Sequence, residues 1–141
     1  MKSLISIVAL CLIISLSGCQ QLMQPEYSST NTLTSIDCVV VLEAKVTAMG
    51  KPDDVKQIFS GSISDNGIVT FSGISFLTPE QKARARFDAI FPMTANIVEK
   101  DGAGNVIGST IGGQRTISKK TYYFYVVAAN GAERKYTLSF N

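Results

Sequence analysis

The pattern of side chains that is typical of β-strands is clearest near the end of the chain. Every second residue is apolar over 122–128, and the same holds over 136–140. A period of two is typical of β-strands. Asn130-Gly131 lies between the two runs, and Asn-Gly in that position is the strongest local signal of a hairpin. The sequence therefore predicts a hairpin here, and its last strand has one polar face that meets water.

Shorter patterns of the same kind come earlier in the chain. Residues 38–47 are rich in β-branched side chains and predict one strand. Two further hairpins are predicted around residues rich in Asp, Asn and Gly, which favour turns. These are 58–63 with 68–71 around Asp65-Asn66-Gly67, and 96–100 with 105–108 around Asp101-Gly102-Ala103-Gly104. Residues 74–77 are candidates to extend the strand that ends near residue 71.

One segment departs from the β pattern. Thr78-Pro79-Glu80-Gln81 has the features of a helix start: an N-cap Thr, a Pro at the first helical position, and a Gln three residues after the Thr. Good helix formers follow, so a short helix is predicted over 79–86, with a strand up to Pro92. Arg84 and Arg86 are interpreted as solvated charge on this helix, with an anionic-ligand site as the alternative.

Several short strands separated by turn signals indicate a β-sandwich or barrel. The final hairpin also resembles the last hairpin of immunoglobulin-like domains in bacterial surface proteins. The matching residues are Tyr122-x-Phe124-x-Val126-x-Ala128-x-Asn130-Gly131, then Tyr136-x-Leu138-x-Phe140. The resemblance implies an all-β fold: a single immunoglobulin-like β-sandwich over residues 36–141, with one short helix. Such domains share no common active site, so the resemblance implies little about function.

The amino terminus has the pattern of a secretion signal. Lys2 precedes an apolar stretch, Leu4 to Leu16, which is too short to span a bilayer comfortably. The next residues, Leu16-Ser17-Gly18-Cys19, resemble the lipobox read by lipoprotein signal peptidase. This resemblance implies a signal peptide over 1–18, cleavage between Gly18 and Cys19, and a lipid on Cys19. An ordinary secretory signal and a short membrane anchor are the alternatives.

The residues after the predicted lipid are polar, small and interrupted by Pro25. We therefore predict that residues 19–35 form a flexible tether, with acyl chains on Cys19 holding the protein to a membrane. Gln20 stands where an Asp would resemble the inner-membrane retention signal of enteric bacteria. The expected location is therefore the outer membrane, at its periplasmic face or at the cell surface.

Length and charge limit the number of domains and the classes of function. Cleavage after Gly18 leaves 123 of the 141 residues, enough for one domain. Of the 13 basic residues only Lys2 is lost, so 12 basic residues stand against 11 acidic ones. This near-neutral chain lacks the basic stripe of a nucleic-acid binder.

Cysteine usage leaves one thiol in the predicted mature chain. Cys11 leaves with the signal and Cys19 carries the lipid, so Cys38 has no partner for an internal disulfide. It is expected to pack as a small core hydrophobe, and an intermolecular disulfide is the alternative.

The residue types present argue against catalysis. The chain has no His, which excludes Ser-His and Cys-His nucleophile pairs and the usual zinc sets. Most carboxylates fall in predicted turns. Asp101 to Asn105 is interpreted as a hairpin turn, because Ala103 stands where a calcium loop needs an oxygen ligand. We expect no catalytic residue, no metal and no cofactor.

Tyr123 and Tyr125 are the candidate ligand-contact residues. Alternation places them opposite Tyr122 and Phe124. If one face of this strand is core, the other presents aromatic rings that can stack on sugars or contact protein. The alternative, which we favour, is that both faces are covered, since Val127 shares the face of the two tyrosines.

These observations predict a membrane-anchored cell-envelope lipoprotein that acts as a non-enzymatic interaction module, in adhesion or as an accessory subunit of an envelope assembly. Its partners would be the membrane, through the lipid, and a protein or glycan. Two alternatives stay open: a glycan- or small-ligand-binding lipoprotein of an uptake system, and an inhibitor or exclusion lipoprotein.

Overall fold

The computed structural model describes residues 27–109 and 111–141. The predicted signal peptide, Gly18, Cys19 and the first part of the predicted tether lie outside the described residues. The strands of the described part are β1 (Ser35–Glu43), β2 (Val55–Ser60), β3 (Ser62–Ile63), β4 (Ile68–Phe71), β5 (Ala85–Ile90), β6 (Asn96–Lys100), β7 (Val106–Gly108), β8 (Thr121–Val127) and β9 (Glu133–Phe140). A 3-10 turn (Ile74–Phe76) and a short helix, α1 (Pro79–Lys82), separate β4 from β5.

The strands form two sheets that pack as a sandwich. One sheet has the order β2-β1-β5, and the other has the order β3-β4-β9-β8-β6-β7. Neighbouring strands are antiparallel except β4 and β9, which are parallel. The predicted all-β sandwich class is confirmed.

The three predicted hairpins are all present. The final one is the most regular, with seven residue pairs from Thr121↔Ser139 to Val127↔Glu133. Its turn closes through the Ala128 N–H, which donates to the Ala132 carbonyl at 2.9 Å. Gly131 has a φ of 87°, a left-handed conformation that glycine adopts without steric cost. The local sequence therefore specifies this turn.

Gly61 marks the point where the chain passes from one sheet to the other. β2 pairs with β1 in the first sheet, whereas β3 pairs with β4 in the second. A Cβ on Gly61 would lie 2.6 Å from Val69 Cγ1 and 2.9 Å from the Ile36 carbonyl oxygen. Only glycine fits such a close approach. The single strand predicted over 58–63 is thus divided between two sheets.

The helical segment is shorter than predicted. Its start is correct: Thr78 Oγ1 accepts a hydrogen bond from the Gln81 N–H at 3.3 Å, and the Thr78 N–H donates to Gln81 Oε1 at 3.0 Å. The helix nevertheless ends at Lys82 rather than residue 86, and β5 begins at Ala85. Ala85 and Phe87 are fully buried in the sandwich. Their burial on a strand outweighs the helix propensity of residues 83–86.

Residues 74–77 do not extend β4. They form the 3-10 turn because the chain folds over the end of β9, where the N–H groups of Gly73 and Ser75 donate to the Asn141 carbonyl at 3.0 and 3.3 Å. The candidate extension of this strand over residues 74–77 is therefore not formed.

The prediction that residues 28–35 belong to a flexible tether is wrong, because this segment packs onto the domain. Leu33 is only 3% exposed, and its N–H donates to the Tyr136 hydroxyl at 2.8 Å. The Ser28 carbonyl accepts the Asn130 N–H at 3.1 Å, and β1 begins at Ser35. Leu33 supplies the buried apolar contact that the surrounding Ser and Thr residues could not.

An aromatic cluster joins the two sheets. Phe87 of β5 contacts four rings of the six-stranded sheet at centroid distances of 5.4 to 6.3 Å. Those rings belong to Phe71, Tyr122, Phe124 and Phe140. Such distances suit tilted and edge-to-face packing, which stabilises aromatic pairs beyond simple burial. The inward positions predicted from alternation in β8 and β9 supply three of the five rings.

The strand order departs from that of an immunoglobulin domain in one respect. Strands C, F and G of that fold are neighbours, as β6, β8 and β9 are here. In that fold two strands between C and F join the opposite sheet. Here the opposite sheet is made of β1, β2 and β5, which all precede β6 in the chain. The immunoglobulin-like assignment of the whole domain therefore stays a prediction.

Phe87→Ala should destabilise the domain by about 3–5 kcal/mol, the usual cost of removing a buried aromatic ring. Urea unfolding followed by circular dichroism measures this directly. Phe76→Ala is the matched control, because Phe76 is 90% exposed and its loss should change stability by no more than about 0.5 kcal/mol. A similar effect of the two substitutions would contradict the role given to Phe87.

Candidate functional site

The two candidate tyrosines lie on the outer face of the six-stranded sheet. Tyr123 and Tyr125 are half-buried, whereas Tyr122 and Phe124 on the same strand point inward and are buried. The alternation of β8 is therefore as predicted. The role of the two tyrosines in ligand contact stays a prediction.

Lysine side chains lie over both tyrosine rings. Lys135 Nζ is 4.3 Å from the centroid of the Tyr123 ring, and Lys100 Nζ is 4.4 Å from that of Tyr125. Lys100 also binds both carboxylate oxygens of Glu133 at 2.8 Å. Cation–π contacts of this kind use the ring face, which is the surface on which a sugar would stack. The arrangement supports the interpretation that these rings are covered.

A largely buried ion pair lies between the sheets, and sequence reasoning missed it. Glu99 points inward from β6 and is 8% exposed as a residue. Its Oε2 lies 2.7 Å from Arg115 Nη1. The Arg115 guanidinium carbon is also 5.3 Å from the Phe87 ring centroid and 5.5 Å from that of Phe124. The pair therefore lies against the aromatic cluster.

The ion pair attaches the segment between β7 and β8 to both sheets. The Arg115 N–H donates to the Ala85 carbonyl at 2.7 Å, and the Ala85 N–H donates to the Arg115 carbonyl at 3.2 Å. The Arg115 backbone thus pairs with the edge of β5, while its side chain binds β6. Glu99 occupies an inward position of a predicted strand. A charged residue at such a position is the signal in the sequence that could have indicated a buried ion pair.

This geometry suits a structural role for Glu99. Its partner is a guanidinium, which stays charged across the accessible pH range, and glycoside hydrolysis would need a second carboxylate at a fixed separation. In residues 27–109 and 111–141 no group of three or more His, Cys, Asp or Glu side chains could hold a metal ion.

Cys38 is a fully buried, free thiol. Burial raises its pKa to about 12, and the positive charge of Arg115 only partly offsets this effect. Because the thiolate is the reactive form, the thiol is inert at neutral pH. Its position matches the core role expected from the sequence.

The Asp101 carboxylate holds a hairpin turn. Its Oδ2 accepts the Asn105 side-chain amide at 3.1 Å, and its Oδ1 accepts the backbone N–H groups of Asn105 and Ala103, both at 2.9 Å. These bonds, chiefly those from Asn105, lower the pKa of Asp101. The turn interpretation is confirmed.

Several clefts open on the surface of the sandwich, and two of them adjoin β5. The larger, of about 460 Å³, lies between β5 and β6 and is lined mainly by apolar side chains, among them Phe91, Ile97 and Ile111. The smaller, of about 250 Å³, lies on the outer face of the three-stranded sheet. Its lining includes Arg84 and Arg86, which the sequence analysis placed on a helix. In the structure Arg84 follows α1 and Arg86 lies in β5.

No protein-family model and no curated protein matches the chain. Among solved structures, it is similar to a protein of Bacteroides fragilis NCTC 9343 described as a "putative secreted protein", with a TM-score of 0.52 and 16% identity. The match covers 79% of this chain and 94% of that one. At this identity the likeness shows the fold alone. Of the helices in the described part of the chain, none has the length and apolar character to cross a membrane.

Glu99→Gln should destabilise the domain by about 3 kcal/mol, because it leaves the Arg115 charge largely buried without a counter-charge. Thermal and urea unfolding measure the loss. The matched control is Glu133→Gln, which removes the partner of Lys100 at a site 41% exposed and should cost less than about 1 kcal/mol. If Glu99→Gln were as mild as its control, the ion pair would not hold the segment in place.

Proposed function

We propose that the protein is a membrane-anchored cell-envelope lipoprotein that acts as a non-enzymatic interaction module. Leu16-Ser17-Gly18-Cys19 supports the lipid anchor. The observation that carries the interaction role is the position of the first described residues, which attach to one end of the sandwich and leave the opposite end free.

The two ends of the sandwich are defined by their loops. The proximal pole comprises residues 27–34, the loop 91–95 and the turn 128–132, which meet where the Asn130 N–H donates to the Ser28 carbonyl. The distal pole comprises the loop 44–54, the segment 72–84 and residues 117–120. Strand β9, which runs between the poles, is eight residues long, or about 27 Å at the usual rise per residue.

The predicted lipid lies close to the proximal pole along the chain. Tyr27 is eight positions after Cys19, and a fully extended chain spans at most about 3.6 Å per position. The proximal pole therefore stays within about 30 Å of the bilayer surface. The distal pole, on the far side of the sandwich, is the end presented to a partner.

The distal pole has the side chains of a contact surface. Val46, Met49 and Phe76 are 73%, 85% and 90% exposed. Methionine and aromatic residues are enriched at protein interfaces, and covering an exposed apolar side chain is favourable because it removes apolar surface from water. We place the partner contact here rather than at Tyr123 and Tyr125, whose ring faces are covered by lysines.

The location outside the cytoplasm has two supports. One is the signal-like amino terminus, and the other is the fold that the chain shares with a Bacteroides fragilis protein described as secreted. Gln20 after the lipidated residue favours the outer membrane. A role in adhesion or as an accessory subunit of an envelope assembly fits a domain that works by presenting a surface.

Cys19→Ser should block lipidation and leave the precursor uncleaved, because the thiol is the acceptor for the lipid. We expect the parent protein to partition into detergent and to incorporate labelled palmitate, whereas the variant does neither and retains residues 1–18. Cys11→Ser, which changes a thiol within the apolar stretch of the signal, is the matched control and should be processed like the parent. Identical processing and labelling of the Cys19→Ser variant would overturn the proposal.

A further inference from the structure

The outer face of the three-stranded sheet carries a cleft of about 250 Å³ with basic walls. Val39 and Val41 of the central strand β1 form its floor. Lys56 of β2 stands on one side, and Arg84 and Arg86 stand on the other. The charges of this cleft have no part in the packing of the core.

Strand register explains why these side chains surround one space. Val41 is opposite Lys56 in the β1–β2 pair, and its N–H donates to the Arg84 carbonyl at 3.1 Å. Val39 is opposite Arg86 in the β1–β5 pair. Because adjacent strands lie about 4.8 Å apart, the basic residues of the two flanking strands are about 10 Å apart at the backbone. Short valine side chains between longer cationic ones leave a trough.

A third side of the cleft is formed by the segment that Arg115 attaches to β5. Gly112 and Gln114 line the cleft there. The Gln114 side-chain amide donates to the Ala83 carbonyl at 3.4 Å. The Glu99–Arg115 ion pair thereby also sets the position of this wall.

Acidic neighbours neutralise only part of the positive charge. Arg86 Nη2 lies 3.3 Å from Asp88 Oδ2, with both side chains about half exposed. Asp54 also lines the cleft, and its Oδ1 accepts the Lys45 N–H at 3.1 Å. Within the described residues, Lys56 and Arg84 have no ion pair within 4.0 Å.

Glu80 is a more distant acidic neighbour of Arg84. Its pKa is lowered by a hydrogen bond to its own backbone N–H and by one from Thr78, and to a smaller degree by the charge of Arg84. Glu80 is fully exposed, so water screens its interaction with the guanidinium. The cleft lining itself therefore holds three cationic side chains and one carboxylate.

We propose that this cleft binds a phosphate group, carried either by a small phosphate ester or by a lipid headgroup. Guanidinium groups form paired hydrogen bonds with phosphate oxygens. A phosphate monoester carries a charge near −2 at neutral pH, and Lys56 and Arg84, which have no ion pair within 4.0 Å among the described residues, supply two positive charges for it. A single carboxylate would leave one of those charges unmatched. The valine floor suits an apolar part of the same ligand.

This proposal shares one assumption with the proposed function, namely that the domain acts by binding. It does not depend on a lipid at Cys19, because every residue of the cleft belongs to the folded domain. Phosphate binding is therefore measured on detergent-solubilised protein whether or not it carries acyl chains. A failure of lipidation and a failure of phosphate binding give separate results.

Titration calorimetry of the full-length protein with glycerol 3-phosphate tests the site. We expect saturable binding that weakens more than tenfold in the Lys56→Gln/Arg84→Gln variant, since each charge-assisted hydrogen bond contributes about tenfold. The control, Arg134→Gln/Lys135→Gln, removes one arginine and one lysine from β9 of the other sheet, outside the cleft, and should change affinity less than twofold. Lys56→Gln alone, at an exposed position, repeats the test in a variant that keeps the fold, which its urea unfolding verifies.

Two further ligands separate the sources of the phosphate. Competition by phosphatidic acid in the micelles indicates a lipid headgroup, whereas competition by inorganic phosphate without competition by the lipid indicates a soluble ester. Both outcomes support the site. Absence of saturable binding, equal loss in the control variant, or equal binding of acetate would overturn it.

Discussion

The contact between Phe87 and the rings of the opposite sheet is the interaction on which the other features of the domain depend. Phe87 and Phe124 pack edge to face at 5.4 Å, and Arg115 lies over both rings while it binds Glu99. On the other side of the cluster, the Tyr122 hydroxyl accepts the N–H groups of Ser118 and Lys119 at 3.1 and 3.3 Å. Core packing and the long connection from β7 to β8 are thus held by one set of side chains. Burial of that set is the main stabilising force.

Three groups of this sandwich that could carry chemistry have structural roles. The buried Cys38 thiol and the paired Glu99 carboxylate both serve the core, and the Asp101 carboxylate serves a turn. The distal pole and the basic cleft that we propose for recognition are adjacent, because Lys56 lies just after the loop 44–54 and Arg84 ends the segment 72–84. A partner at the distal pole would therefore have the cleft within reach.

Local signals predicted the hairpins and the helix start, because Asn-Gly turns and capping boxes are specified by residues adjacent in sequence. Features set by distant residues were not predictable in the same way. The helix ends early because Phe87 is buried against rings that lie far along the chain. The chain crosses between the sheets at Gly61, where the close approach of Val69 and Ile36 leaves no room for a side chain. Predicting the basic cleft requires the register of three strands, and the alternation of side chains does not give that register. The prediction of a flexible tether was wrong near its end, chiefly because the side chain of Leu33 is buried in the domain.

In the proposed orientation, the proximal pole of the domain faces a bilayer and the distal pole faces away from it. Fluorophores on Ala129→Cys and Met49→Cys variants of the lipidated protein test it in vesicles that contain a spin-labelled lipid. Both sites are exposed, and Cys38 stays unlabelled because its thiol is buried and protonated. With this orientation, the lipid should quench the fluorophore at residue 129 more strongly than the one at residue 49. Quenching at residue 49 that equals or exceeds that at residue 129 would contradict it.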